Sequence, residues 1–115
     1  MSIDSLQTLE IIEVMENFIE SVRPPEHIRK QLDISYKIED QSILVFEVRP
    51  SFLQPDVMSY PPIAKTTYVK AQNHWKVFWM RADLKWHSYD PKPIVKSIKE
   101  FTKLIKEDKY GCFFG

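Results

Sequence analysis

Trp75-Lys76-Val77-Phe78-Trp79-Met80-Arg81-Ala82-Asp83-Leu84-Lys85-Trp86-His87-Ser88-Tyr89 decides the fold, and it holds all three tryptophans of the chain. Alternation along an extended chain puts Trp75, Val77, Trp79 and Arg81 on one face, and Lys76, Phe78 and Met80 on the other. Neither face is polar throughout. Either both are covered, or one presents aromatic and cationic groups to a ligand. Ala82-Asp83 is turn-like, so the stretch reads as two strands, residues 75–82 and 85–89.

Upstream, the same period of two recurs. Ile34, Tyr36 and Ile38 alternate with polar neighbours, and Glu39-Asp40-Gln41-Ser42 turns the chain into a second strand, giving a hairpin of residues 33–39 and 43–49. Leu44, Phe46 and Val48 share one face of that second strand; Ile43, Val45, Glu47 and Arg49 share the other. Pro50, Pro55, Pro61 and Pro62 exclude a regular element over residues 50–62. A further strand is expected over residues 63–70, closed by the turn Ala71-Gln72-Asn73-His74.

Outside the strands the period is helical. Leu9, Ile12, Met15, Ile19 and Val22, widened by Ile11, Val14 and Phe18, predict an amphipathic helix over residues 4–23. Asp4 or Ser5 caps it and Pro24-Pro25 stops it. Pro25 can open a second, shorter helix, with Ile28 and Leu32 inward. Asp90-Pro91-Lys92-Pro93 ends the sheet and starts a last helix to residue 107, with Ile94, Ile98, Phe101 and Ile105 as its buried stripe. Lys96, Lys99, Lys103 and Lys106 run beside that stripe. The tail, Tyr110 to Gly115, is too aromatic to be left in water, so Phe113 and Phe114 are expected to dock. The expected fold is one α+β domain over residues 1–115. It is an antiparallel β-meander of about five strands, with the N- and C-terminal helices on one face.

The 115 residues carry no net charge, but residues 1–60 hold 11 acidic against 5 basic side chains and residues 61–115 reverse that balance. The halves can fold against each other, or display a basic face to an anionic partner. Cys112 is the single cysteine, which excludes an intramolecular disulfide and a multi-cysteine zinc site. Met1-Ser2-Ile3-Asp4 lacks the basic start and apolar run of a signal peptide, and no apolar run approaches a transmembrane span, so a soluble cytoplasmic protein is expected. The two glycines, Gly111 and Gly115, cannot make a phosphate-binding glycine loop.

The candidate binding residues are Arg49, Lys65, Trp79, Arg81, Trp86 and His87. Arg81 can stack on Trp79 or Trp86 as a cation–π pair. Strand parity suggests that Arg49, Lys65 and Arg81 share one sheet face near Trp79 and Trp86. His87 can serve as a general base, but no nucleophile is tied to it by a motif, and His27 and His74 have no metal-ligand spacing. Cys112 has no nearby basic cluster to activate it. Asp40 with Glu47-Val48-Arg49 loosely resembles the Asp…Glu-x-Lys pattern of metal-dependent nucleases, with Arg49 in place of the lysine and Asp40 in a turn. No metal and no cofactor are expected.

Phe46-Glu47-Val48-Arg49-Pro50, then Ile63-Ala64-Lys65 with Tyr68, then the Trp75, Trp79, Arg81, Leu84, Trp86, His87 and Tyr89 array, together resemble a small bacterial family known as domain of unknown function 3024. Gly111-Cys112-Phe113-Phe114-Gly115 is similar to that family's closing motif, which usually has Trp where this chain has Phe114. The resemblance covers nearly the whole chain and implies a single domain without an assigned activity. Three function classes follow. The first is a non-enzymatic binding module whose aromatic and basic sheet face holds nucleic acid or an acidic protein segment. In architecture alone, a three-stranded sheet followed by a helix is similar to the DNA-binding arm domains of phage-type integrases. The second is an interaction subunit. The third is a hydrolase or nuclease built on Glu47, Arg49, Lys65, Arg81 and His87, which must then converge in one pocket.

Overall fold

A computed structural model describes residues 4–114; of the closing motif, Gly115 lies outside them. Helix α1 runs Ser5–Val22, and the Asp4 carboxylate caps it by accepting from the Gln7 N–H at 2.8 Å. Its apolar band is wider than one packing face. Ile11, Met15, Phe18 and Ile19 are buried, while Leu9 and Ile12, expected in the stripe, turn to solvent. Pro25 opens only a single 3-10 turn, Glu26–Ile28, rather than a second helix. The chain then enters strand β1, Asp33–Glu39.

β1 pairs with β2, Ser42–Pro50, in a regular antiparallel register from Asp33↔Val48 to Glu39↔Ser42. Asp40 makes the turn with φ of 53°, a left-handed conformation that a short polar side chain tolerates. The proline-rich segment contains a short strand the sequence does not announce: β3, Met58–Ser59, pairs with Arg49 and Pro50. β4, Pro62–Val69, then returns beside β2, with Pro62 at its first position, where a proline is tolerated. A bulge at Ile63 shifts that register and leaves both Ile63 and Ala64 buried. β5, His74–Met80, pairs with β4, and β6, Trp86–Ser88, pairs with β5. The path β1-β2-β4-β5-β6 is the expected antiparallel meander.

The last helix is shorter than the sequence suggests. Ile94 and Val95 form β7, which pairs with Trp75 and Lys76 on the same edge of β5 that β6 uses. Helix α2 therefore begins only at Ile98 and ends at Glu107, capped by the Ser97 hydroxyl. Ile94 is exposed, and the buried stripe is Ile98, Phe101, Thr102 and Ile105. The strand wins because β5 has unpaired backbone groups at that edge, and a helix turn there would leave them unsatisfied.

Both helices lie on one face of the sheet. α1 packs on β1 and against α2, and α2 packs beside β7. Ile34, Ile43, Val45, Ala64, Thr66, Trp75, Val77, Tyr89 and Val95 supply the buried sheet face. Thr66 belongs there because its hydroxyl donates to the Lys76 carbonyl at 2.7 Å. Arg23, at the end of α1, holds Asp33 at the start of β1 through two bonds of 3.0 and 2.7 Å. That guanidinium, and then the Ile34 N–H, hold the Asp33 carboxyl below its ordinary value of 3.8 against the opposing cost of burial.

Asp108, left-handed at φ of 39°, ends α2, and its carboxylate accepts from the backbone N–H groups of Phe113 at 3.0 Å and Phe114 at 2.8 Å. This clamp folds the tail back so that Phe113 is buried on Tyr89, ring centroids 4.9 Å apart. Phe114, expected to be buried as well, is 42% exposed, because the turns and bends of residues 109–113 bring only the Phe113 ring onto the core.

Two stability predictions follow from these contacts. Asp33→Asn should cost about 1 kcal/mol at pH 7, a modest fraction of a charge-assisted pair because the amide still accepts one bond. The depressed carboxyl contributes above its ordinary range and loses that contribution as pH falls. Urea unfolding from pH 7 down to pH 2 should therefore show the gap to wild type closing in acid; a gap independent of pH would contradict it. Deleting residues 110–115 should lower stability by about 2–4 kcal/mol, the scale of one buried aromatic with its ring contact. An unchanged urea midpoint would mean the tail is not part of the core.

Candidate functional site: the helix-free face of the sheet

The register of β4 against β5 decides which candidate residues meet. Ala64 lies opposite Trp79 and Lys65 opposite Phe78. Lys65 therefore shares a face with Phe78 and not with Trp79. Trp86 pairs with Met80 and joins that same face, whereas His87 pairs with Trp79 and joins the helix-covered side. The expectation that Arg49, Lys65 and Arg81 share one face with both Trp79 and Trp86 is corrected accordingly. Parity within each strand was readable, but the register between strands was not.

On the helix-free face, the Lys65 ammonium sits over two rings at once, 5.1 Å from the centre of Phe78 and 5.4 Å from that of Trp86. Trp86, from β6, reaches across β5 to do this. Phe46 meets Tyr60 edge-on at 6.0 Å. Lys37, Leu44, Phe46, Tyr60, Pro62 and Trp86 line a shallow depression of about 410 Å³ between these groups. The outward positions of β2, β4, β5 and β6 carry Lys65 and Lys76 and no carboxylate. The one acid close by is Glu39 at the β1 edge, which pairs with Lys37 at 2.9 Å. Phe46, Phe78, Met80 and Trp86 are half-buried, although no helix covers them. Aromatic faces next to a cation, in a dip without negative charge, can stack planar groups and hold an anion.

The other candidates gather at the end of β5 on the opposite face. Arg81 lies over Trp79 at 5.5 Å, and His87 Nε2 bonds the Asp83 carboxylate at 2.8 Å. Asp83 also accepts from the Lys85 N–H, and these two bonds, His87 first, hold its carboxyl below the ordinary range. Leu84 takes φ of 62° to close this turn, an unusual conformation for a branched apolar residue. Arg49 stands apart at the end of β2, 3.7 Å from Glu47 and exposed with Arg81 to solvent. Glu47, Arg49, Arg81 and His87 thus have helix-side parity while Lys65 faces away, so the five do not share a face. Burial, then Asp108, pushes the Cys112 thiol up, which keeps it protonated and a poor nucleophile. Asp40 is in the β1–β2 turn, at the opposite end of β2 from Arg49. Among the described residues no three His, Cys, Asp or Glu side chains converge as metal ligands.

A larger concavity, about 780 Å³, separates α1 from α2. Glu10 and Glu13 stand on its α1 wall, and Lys99 and Lys106 on its α2 wall, with Lys96 just ahead of that helix. The acidic and basic halves of the chain thus face each other there, and their fields largely cancel. The sheet depression has no such cancellation and is the stronger candidate. Sequence reasoning missed Phe78 as a partner of Lys65, and Phe46 and Tyr60 as walls of the depression beside it. Phe46 was legible as outward-facing with Leu44, but Tyr60 comes from the proline-rich segment, whose path no periodicity reports.

No helix among the described residues is long and apolar enough to cross a membrane. No curated protein and no solved structure matches the chain. A family model does match, over residues 3–115, essentially the whole sequence. The chain, with its aromatic and lysine-bearing sheet face, belongs to the family described as Domain of unknown function (DUF3024).

Proposed function

We propose that the protein is a non-enzymatic binding module that holds single-stranded nucleic acid on the helix-free face of its sheet. The observation that carries this reading is Lys65 seated over Phe78 and Trp86 in a region whose central strands have no outward carboxylate. Bases stack on sheet aromatics with about 1–3 kcal/mol per base, and lysines between them meet the phosphates. The depression at Phe46, Tyr60 and Trp86 gives a base a concave seat. Both cation and rings are half-exposed, so a ligand reaches them without any rearrangement. An acidic protein segment would satisfy Lys65 and Lys76 but leave the ring faces without a planar partner, which favours the nucleic acid. The single cysteine suits a reducing compartment, and we take the cytoplasm as the place of action.

The zero net charge makes the affinity modest and local, with a shallow salt dependence. Anisotropy of a labelled oligo(dT) of about twelve nucleotides should rise on adding the protein at low salt. Trp86→Ala and Lys65→Gln should each weaken binding roughly tenfold, within the range of one stacked base. Arg81→Ala, on the other face, should leave it unchanged. Absence of binding to both oligo(dT) and oligo(U) at low salt would defeat the reading; binding of labelled poly-glutamate where neither oligonucleotide binds would transfer the site to an acidic protein segment.

A further inference from the structure

The two most exposed large apolar side chains among the described residues lie beside this site, at the tip of the β2–β3 hairpin. Phe52 is 96% exposed and Leu53 86%, with Val57 and Met58 also open to solvent. The tip is held by its own backbone: the Ser51 N–H donates to the Val57 carbonyl at 2.7 Å, and the Val57 N–H to the Gln54 carbonyl at 2.9 Å. Pairing of Arg49 with Ser59 and of Pro50 with Met58 closes its base. These side chains are therefore displayed by a braced hairpin, where a collapsing loop would have buried them.

The hairpin is continuous with the candidate site. Its outgoing arm runs on from Met58–Ser59 directly into Tyr60, which lines the depression with Phe46. From Phe46 to Pro50 is four residues of β2, about 14 Å at the rise of an extended strand. At about 3.4 Å per stacked nucleotide that span corresponds to roughly four nucleotides. Between residues 51 and 58 the single charged side chain is Asp56, which repels phosphate. A strand leaving the depression would thus meet the tip with a base and not with its backbone.

Resting on the nucleic-acid reading above, we infer that Phe52 and Leu53 form a second base-contacting element, engaged only by strands long enough to run from the sheet depression to the hairpin tip. The consequence is a length threshold in affinity. Short strands fill the depression alone; longer strands add an apolar contact at the tip.

The test compares oligo(dT) of about four and about twelve nucleotides on the wild-type protein and on the double variant F52A/L53A. Both side chains are almost fully exposed, so the variant should melt with the wild type, which circular dichroism checks. The double variant should bind the longer strand about tenfold more weakly, the scale of one lost base contact, and the shorter strand as wild type does. If the wild type binds and the variant matches it on both lengths, or loses both equally, the tip inference is wrong while the sheet reading stands. If the wild type binds neither length, the sheet reading itself fails and the inference with it.

Discussion

Strand β5 is the hub on which the other contacts depend. β4 pairs along one of its edges, and β6 and β7 share the other. Between those two short strands, the Tyr89 N–H donates to the Val77 carbonyl and the Val77 N–H donates to the Pro93 carbonyl, both at 2.9 Å. Both edges of β5 are therefore occupied around Val77, and the strand is fixed in position and register. Its inward residues Trp75 and Val77 are buried in the core that both helices close. An apolar strand this well paired also has outward residues, Phe78 and Met80, which the helices cannot reach because they lie on the other face.

That asymmetry produces the candidate site. A sheet with one covered face normally shows water a polar second face. Here the second face carries Phe46, Phe78, Met80 and Trp86 around Lys65, and Tyr60 from the proline-rich segment packs edge-on against Phe46. Burying these rings in a second layer would have stabilised the fold by about 1.5–3 kcal/mol for each large side chain. The chain forgoes that gain and leaves the face accessible. Lys65, only partly buried, sets its charge above two of these rings.

Much of this fold was legible because it rests on short-range pattern. The period of two across residues 33–49 and 75–89, the period of 3.6 across α1 and the cap at Asp4 are local signals, and the meander and the two helices follow from them. What failed was non-local. Ile94 and Val95 read as helix because their partner is an edge of β5 nearly twenty residues upstream. Lys65 was placed with Trp79 because no local signal sets the β4–β5 register, which depends on the length of the 70–73 turn and on Asn73 in its left-handed conformation. Leu9 and Ile12 stand outside the core because an apolar band with eight members exceeds what one interface can bury. The site was legible in its composition, a cluster of Trp, Phe and Lys, but not in its membership.

The claim that one face is core and the other is displayed can be tested with a single residue type. Trp75 and Trp86 lie in neighbouring strands of the same sheet on opposite faces, and Trp75 is 3% exposed while Trp86 is half-buried. The free energy of urea unfolding should fall by about 3–5 kcal/mol for Trp75→Ala, the cost of truncating a core aromatic. For Trp86→Ala it should fall by less than half as much. Equal losses would contradict the division of the sheet into a packed face and a free one, and would return the Lys65 cluster to the core.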